Sequence, residues 1–185
     1  MDQEREPKYK IIGISGKLGA GKDTAAEIIL KLYPQYKARA FAYNVKKVCK
    51  IMLGTTMVEQ LSAKGKASIP DGFDNTNGFY QQLVGQGMRD LLGPNVWVRA
   101  VMNKPDKYKI ITDVRYRTEV KAIEDAGGIV IRLERDEELR QGSVAGRPTN
   151  HSSEIDLDNH QFQYKINNNG TIEDLTSELK KILEI

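Results

Sequence analysis

The chain is poor in the residues that form disulfides and zinc sites. Its 185 residues include one cysteine, Cys49, and two histidines, His151 and His160. A single cysteine excludes an internal disulfide, and so few Cys and His side chains argue against a zinc cluster. No apolar run reaches the roughly 18 residues of a membrane helix, and the first ten residues are charged, unlike a signal peptide. We therefore expect a protein of the reducing cytoplasm with no membrane partner.

Long runs of one charge are also missing. Lys and Arg number 28 and Asp and Glu number 25, which gives a formal charge of +3. No basic run is long enough for a nucleic-acid-binding arm, so we expect no nucleic acid partner, and the mild excess suits anionic small molecules. The length suits one domain with a well-buried core, and no linker or repeat divides residues 1–185.

The strongest signal is a glycine-rich segment that directly follows the apolar residues 11–14. Residues 16–24 read Gly-Lys-Leu-Gly-Ala-Gly-Lys-Asp-Thr. Strand, G-x-x-x-x-G-K and helix in this order are typical of a P-loop, whose backbone N–H groups surround a phosphate chain. The helix N-terminus adds a positive field, and Lys22 supplies a charge for the β- and γ-phosphates. We expect a nucleoside triphosphate at Gly16, Gly19, Ala20, Gly21, Lys22, Asp23 and Thr24. The alternative is a glycine-rich turn without a nucleotide.

One position of this motif departs from the usual pattern. Ser or Thr normally follows the lysine, but this chain has Asp23, with Thr24 next. A carboxylate repels phosphates unless a cation lies between them, and Mg²⁺ prefers oxygen ligands and keeps most of its waters. We interpret Asp23 as a ligand of Mg²⁺ through water, with Thr24 giving a hydroxyl contact. Alternatively, Asp23 only favours the first turn of a helix.

A second signal is the apolar segment 108–115, which ends in Asp113 and Arg115. Functional side chains gather at the carboxyl ends of strands in a parallel sheet. Asp113 would then lie near the P-loop and bind Mg²⁺ or its waters, and Arg115 could make a two-pronged contact with phosphate. The alternative for Asp113 is that it caps a helix over 116–126.

Alternation of strands and helices predicts the fold class. We expect an α/β, three-layer P-loop fold, with a central parallel sheet and helices on both faces. The predicted strands are 10–15, 37–43, 108–115, 129–133 and 163–167. The predicted helices are 23–33, 45–53, 79–92, 94–102, 116–126 and 171–183.

Two segments lack this regularity. Residues 54–78 are rich in Gly, Pro, Asp and Asn, and we interpret them as an excursion over the active site or as a mobile surface loop. Residues from about 134 to 150 combine glycines with Arg135, Arg140 and Arg147. Such a segment suggests a short lid that closes over phosphates, although arginines are also common on a solvated face.

These motifs, taken in order, resemble the deoxynucleoside monophosphate kinases of tailed bacteriophages, which are adenylate-kinase-like P-loop kinases. The resemblance covers nearly the whole chain. It is most specific in Gly-Lys-Asp-Thr at 21–24, Thr-Asp-Val-Arg at 112–115 and His-Ser-Ser-Glu at 151–154. Further matching pieces are 14–20, 41–46, 82–89, 96–98, 127–132, 169–175 and Glu119.

The resemblance implies ATP as phosphoryl donor, a deoxynucleoside 5′-monophosphate as acceptor, Mg²⁺, and the diphosphate as product. It implies donor and metal roles for Lys22, Asp23 and Thr24, and the position of Asp113 at a strand end makes it the second expected metal residue. Lys22, Asp113 and Arg115 are the expected catalytic residues. The expected acceptor-side residues are Lys46, Gln82, Arg89, Trp97, Asp113, Arg115 and Glu119. For a phage protein the working compartment would be the host cytoplasm.

Several points stay open at this level. Trp97 could stack on a base or lie in the core, and Lys46 could reach the acceptor phosphate or remain a solvated helix lysine. The family commonly has Gly-Thr where this chain has Gly85-Gln86, so the accepted bases are undetermined. The preference for deoxyribose, the roles of His151 and Glu154, and a homodimer as opposed to a monomer are equally open.

Two other functions fit the same motifs. One is a P-loop kinase of another phosphorylated small molecule, such as dephospho-coenzyme A or phosphomevalonate. The other is a nucleotide-binding regulatory protein that hydrolyses ATP slowly. ATP turnover that is stimulated only by an added monophosphate would separate the kinases from the regulatory protein.

Lys22→Ala tests the P-loop assignment. Loss of one preorganised charge at a transferring phosphate costs on the order of 100-fold or more in kcat. We therefore expect most phosphoryl transfer to vanish while the far-UV circular dichroism and the melting temperature stay near those of the wild type. Wild-type turnover in a folded variant would contradict the assignment.

Overall fold

The computed structural model describes residues 6–144 and 155–184, with the side chains of 141–144 excepted. The strands are β1 Ile11–Gly16, β2 Lys37–Arg39, β3 Lys109–Val114, β4 Ile129–Glu134 and β5 Tyr164–Asn167. The helices are α1 Lys22–Leu32, α2 Phe41–Met52, α3 Met57–Leu61, α4 Ala63–Ala67, α5 Asn77–Leu92, α6 Val96–Met102, α7 Arg117–Asp125, α8 Glu137–Val144 and α9 Ile172–Leu183. Within these ranges no helix is long and apolar enough to cross a membrane.

The five strands form one parallel sheet in the order β2-β3-β1-β4-β5. Ile12 and Ile14 of β1 pack in one buried cluster with residues of α1 and α9. Gly13 faces the other way, because a Cβ there would lie 2.7 Å from Ile123 Cδ1 of α7. Since side chains alternate along a strand, helices cover both faces. The predicted fold class is confirmed.

The described residues separate into two compact units. The sheet unit comprises the residues up to Arg39 and from Pro105 onward, and it contains all five strands with α1, α7, α8 and α9. The helical unit is Ala40–Lys104 and contains α2 to α6. Its core joins side chains from α2, α5 and α6 around Val45, Cys49, Leu53 and Trp97.

The predicted strand over 37–43 and helix over 45–53 were wrong at their junction. The strand β2 ends at Arg39, and α2 already begins at Phe41. Phe41, Val45 and Cys49 are buried at a spacing of four residues, which places them on one face of a helix. Burial of this face stabilises a helix, and this effect outweighs the preference of the segment's residues for a strand.

Residues 54–78 are more regular than the sequence indicated, because they contain α3 and α4. Thr56 and Glu59 form a capping box, in which Glu59 N donates to Thr56 Oγ1 and Thr56 N donates to the Glu59 carboxylate. Ser62 then caps α4 by accepting from Gly65 N at 3.0 Å. Helices this short have too few apolar positions to show a helical period. In the sequence, only their capping residues indicate them.

Cys49 provides a check on the core of the helical unit. The thiol is fully buried, and burial raises its pKa to about 11. At pH 8 such a thiol is on the order of 0.1% ionised, against about a quarter for a free thiol. We therefore expect Ellman's reagent to leave the native protein unmodified at pH 8 and to label one thiol per chain in guanidinium chloride. Rapid labelling of the native protein would contradict this core.

Candidate active site

The loop between β1 and α1 has the geometry of a phosphate cradle. Gly21 adopts a left-handed φ of +93° immediately before α1, a conformation that glycine tolerates best. Lys22 Nζ donates to the carbonyl oxygens of Gly16 at 2.6 Å and Lys17 at 2.9 Å. The ammonium group is thereby held against the loop, beside the positive end of α1. This arrangement suits an anion with several oxygen atoms.

Asn168 braces this loop from the end of β5. Its side chain is buried, and Nδ2 donates to the carbonyl oxygen of Ala20 at 2.9 Å. Its backbone N–H donates to Glu134 O at 2.7 Å. A Cβ at Gly21 would lie 2.3 Å from Asn168 Nδ2, so this position of the amide requires glycine at residue 21. Sequence reasoning missed Asn168, because its pattern indicated only a turn before the last helix.

Arg132 tethers the strand beneath the loop. Arg132 of β4 is paired in register with Ser15 of β1, and its Nη1 donates to the buried Ser15 Oγ at 3.0 Å. Its Nη2 lies 3.6 Å from Asp158 Oδ1, and Asp158 Oδ2 lies 3.3 Å from Lys17 Nζ. Arg132 and Asp158 therefore link the loop to β4 and to the segment after residue 155.

Asp113 and Arg115 reach the same edge of the sheet as the loop. The strand β3 runs parallel to β1, with Ser15 in register with Val114, and Asp113 is half-buried at its carboxyl end. Glu119 is 3% exposed and accepts from the N–H groups of Arg115 at 2.7 Å and Tyr116 at 3.0 Å. Glu119 thus fixes the start of α7 and the backbone of Arg115, which is a positioning role.

The oxygen donors near the loop fit Mg²⁺. Asp23 is exposed and Thr24 half-buried in the first turn of α1, and Asp113 lies at the end of the neighbouring strand. Across 6–144 and 155–184, no group of three or more His, Cys, Asp or Glu side chains gathers as a metal cage. Mg²⁺ commonly keeps several waters and shares phosphate oxygens, so one or two carboxylates suffice for it.

The helical unit carries the other predicted acceptor residues. Gln82 is exposed on α5, Lys46 is half-buried on α2, and Arg89 Nη1 donates to Gly85 O at 3.2 Å. Trp97 is 6% exposed, packs in the core of this unit, and donates from Nε1 to Gly85 O at 2.9 Å. The buried position of Trp97 favours a role in the core over stacking on a base.

The predicted lid is described only in part. Its first half is the strand end and helix α8, where Arg140 Nε donates to Arg135 O at 2.8 Å. Both arginines are half-buried. Arg147, His151 and Glu154 lie outside the described residues.

Comparison with known proteins agrees with this architecture. No protein-family model matches the chain. A protein of Acanthamoeba polyphaga mimivirus named "Putative deoxynucleotide monophosphate kinase" is 28% identical over 188 residues, covering 91% of this chain and 93% of the relative.

Solved structures support the fold at low sequence identity. TT1252 from Thermus thermophilus superposes with a TM-score of 0.55 at 16% identity, covering 97% of this chain and 98% of that one. The Mycobacterium tuberculosis APS kinase CysC superposes with a TM-score of 0.51 at 11% identity, covering 97% and 100%. The fold is that of the P-loop kinases. Together with the kinase-named relative, it supports a phosphotransferase.

Asn168→Ala tests the brace on the loop. The variant leaves the buried Ala20 carbonyl without this donor, which costs on the order of 1–3 kcal/mol, and it loosens the cradle. We expect the KM for ATP to rise about tenfold or more, since small misplacements at a reacting group are costly. Steady-state kinetics and a thermal melt measure both effects. Asn159→Ala, at an exposed position, is the control and should behave as the wild type, whereas an unchanged KM for ATP in Asn168→Ala would contradict the brace.

Proposed function

We propose that the chain transfers the γ-phosphoryl group of ATP to a deoxynucleoside 5′-monophosphate, yielding ADP and the deoxynucleoside diphosphate. The observation that carries the proposal is the position of Lys22 against the loop, with Asp113 and Arg115 at the same edge of the sheet. The mimivirus relative supports the deoxynucleotide acceptor by its name and by its coverage of both chains.

On the donor side, the residues of the sheet unit bind and align the triphosphate. The backbone N–H groups of 16–24 and the end of α1 would hold the phosphate chain, and Lys22 would neutralise its β- and γ-oxygens. Asp23, Thr24 and Asp113 would hold Mg²⁺ directly or through waters. The metal, when bound, supplies positive charge to the phosphate oxygens.

On the acceptor side, positive charge must offset the approach of a second phosphate. Arg115 of the sheet unit is a proposed contact of the acceptor phosphate, and Arg89 and Lys46 are proposed acceptor-side cations of the helical unit. The helical unit contains eight Lys or Arg and four Asp or Glu residues, a formal charge of +4, which suits an anionic acceptor. Gln82 is exposed, and its amide can pair with a base edge.

Alignment and charge stabilisation would provide the rate, because phosphoryl transfer needs little covalent chemistry from the protein. We retain the proposal of one kinase domain, in which residues 54–78 serve the acceptor side. Arg135 and Arg140 would belong to a lid that keeps water from the γ-phosphoryl group. A phage-type family and a cytoplasmic setting remain parts of the proposal.

A substrate panel tests the reaction. ADP release from Mg·ATP is coupled to a readout enzyme in the presence of dAMP, dGMP, dCMP, dTMP or dUMP. Ribonucleotides, dephospho-coenzyme A and phosphomevalonate are the comparison acceptors. We expect turnover to depend on an added deoxynucleotide. Turnover only with a comparison acceptor, or ATP binding with no acceptor-dependent turnover, would contradict the proposal.

Arg115→Ala tests the acceptor phosphate contact. A phosphate contact made in both the ground state and the transition state affects both kinetic constants, so we expect a higher acceptor KM and a lower kcat. Loss of a charge-assisted contact worth about 1.5–3 kcal/mol corresponds to roughly a 10- to 100-fold lower kcat/KM. Lys121→Ala removes the same charge from an exposed pair with Asp125 and should change neither constant. An unchanged acceptor KM would place Arg115 outside the binding site.

A further inference from the structure

A set of buried amide side chains lies inside the helical unit, apart from the residues assigned above. Gln60 and Asn77 are both fully buried. Gln60 Nε2 donates to Asn77 Oδ1 at 2.6 Å and to Thr55 Oγ1 at 2.8 Å. Gln81 Nε2 donates to Gln60 Oε1 at 2.7 Å and to Gln60 O at 2.8 Å. We call Gln60, Asn77 and Gln81 the amide network.

The amide network continues into the segment between α4 and α5. Asn77 Nδ2 donates to Gly65 O at 3.0 Å and approaches Ser68 Oγ at 3.3 Å. Gly65 also permits the close approach of α4 to α3, since a Cβ there would lie 2.3 Å from the backbone of Glu59. The network therefore joins α3, α4 and the first two turns of α5.

A fully bonded polar network in a core specifies one arrangement. Buried amides are costly without partners, so a shifted helix would leave several donors and acceptors unpaired at once. Gln60 and Asn77 each use both the amide nitrogen and the amide oxygen in hydrogen bonds of 2.6–3.3 Å. The rotation of α5 about its axis is thereby fixed at its N-terminal end.

That rotation determines which side chains α5 exposes. Gln81 is turned inward, and Gln82 follows about 100° further around the helix axis, where it is exposed. One turn later, Gln86 is also exposed and donates from Nε2 to Asp90 Oδ1 at 2.8 Å. Gln82, whose amide is proposed to pair with a base edge, and the nearby Gln86 therefore both lie on the helix that the amide network orients.

We propose that Gln81, through the amide network, is a positioning residue for nucleobase selection, an inference that rests on the proposed function. Base discrimination depends on hydrogen bonds whose geometry must hold within about 0.5 Å. Phosphate attraction falls off slowly with distance. If the orientation of α5 is loosened, we therefore expect the discrimination among bases to fall more than the binding of ATP.

The test compares Gln81→Ala and Gln81→Met with the wild type. The methionine variant keeps an unbranched side chain of similar length but has no amide donor, so it separates hydrogen bonding from packing and decides the case if the alanine variant does not fold. Asn103→Ala, at an exposed amide of the same helical unit, is the matched control. For each protein, kcat/KM is measured for the deoxynucleotide panel, together with the KM for ATP and the melting temperature.

We expect both Gln81 variants to lower the ratio of kcat/KM between the best and second-best base by about tenfold, the factor of a lost hydrogen bond worth about 1.4 kcal/mol. The KM for ATP should stay within about twofold of the wild type, because the donor contacts lie in the sheet unit. Asn103→Ala should keep the wild-type ratio.

Several results would overturn the inference. If Gln81→Met folds and keeps the wild-type ratio of kcat/KM between the bases, packing at this position is sufficient for base selection and the amide is not needed. A parallel loss for all bases and for ATP would show a merely structural role, and a wild type without base preference would leave nothing to position. In all three cases the kinase assignment survives, whereas a wild type that is inactive with every deoxynucleotide removes the proposed function and this inference together.

Discussion

The ammonium group of Lys22, held between two backbone carbonyls at the end of the central strand, is the interaction on which the rest of the site depends. Because β1 is the middle strand of the sheet, both of its neighbours end beside the loop. One neighbour brings Asp113 and the other brings Arg132 to the same region. The loop conformation is in turn secured by Gly21 and Asn168, whose close approach leaves no room for a side chain.

In the proposed reaction, the sheet unit would bind the phosphate chain and the helical unit would select the base. Charge dominates in the loop, where the helix N-terminus and Lys22 would meet phosphate oxygens whatever base the nucleotide carries. Neutral amides dominate at the N-terminal end of α5, where hydrogen-bond geometry matters more than charge. Amides do not titrate, so the orientation of α5 does not depend on the protonation of this network.

Sequence reasoning located the elements whose signals are local. The P-loop, the strand that contains Asp113 and the final helix all follow from short patterns, and the structure contains each of them. The junction at Phe41 was misjudged, because a short aromatic and aliphatic run suits a strand as well as a helix. The helices α3 and α4 were missed because five residues carry no usable period.

The supporting residues of the site could not be inferred in this way. Asn168 reaches Ala20 across 148 positions of sequence, and Arg132 reaches Ser15 across 117. Such contacts exist only once the strand order is known, and no local pattern encodes them. The burial of Trp97 could not be inferred either, because its contacts with α2 and α5 form only in the folded structure.

Phosphorus NMR of the reaction mixture is the most direct test of the central claim. The protein is incubated with Mg·ATP and the deoxynucleoside monophosphates, and the fate of the γ-phosphoryl group is followed. The account predicts that this group appears as the β-phosphate of a deoxynucleoside diphosphate, in step with the formation of ADP. Release of the group as inorganic phosphate, with the monophosphates unchanged, would contradict it and identify an ATPase.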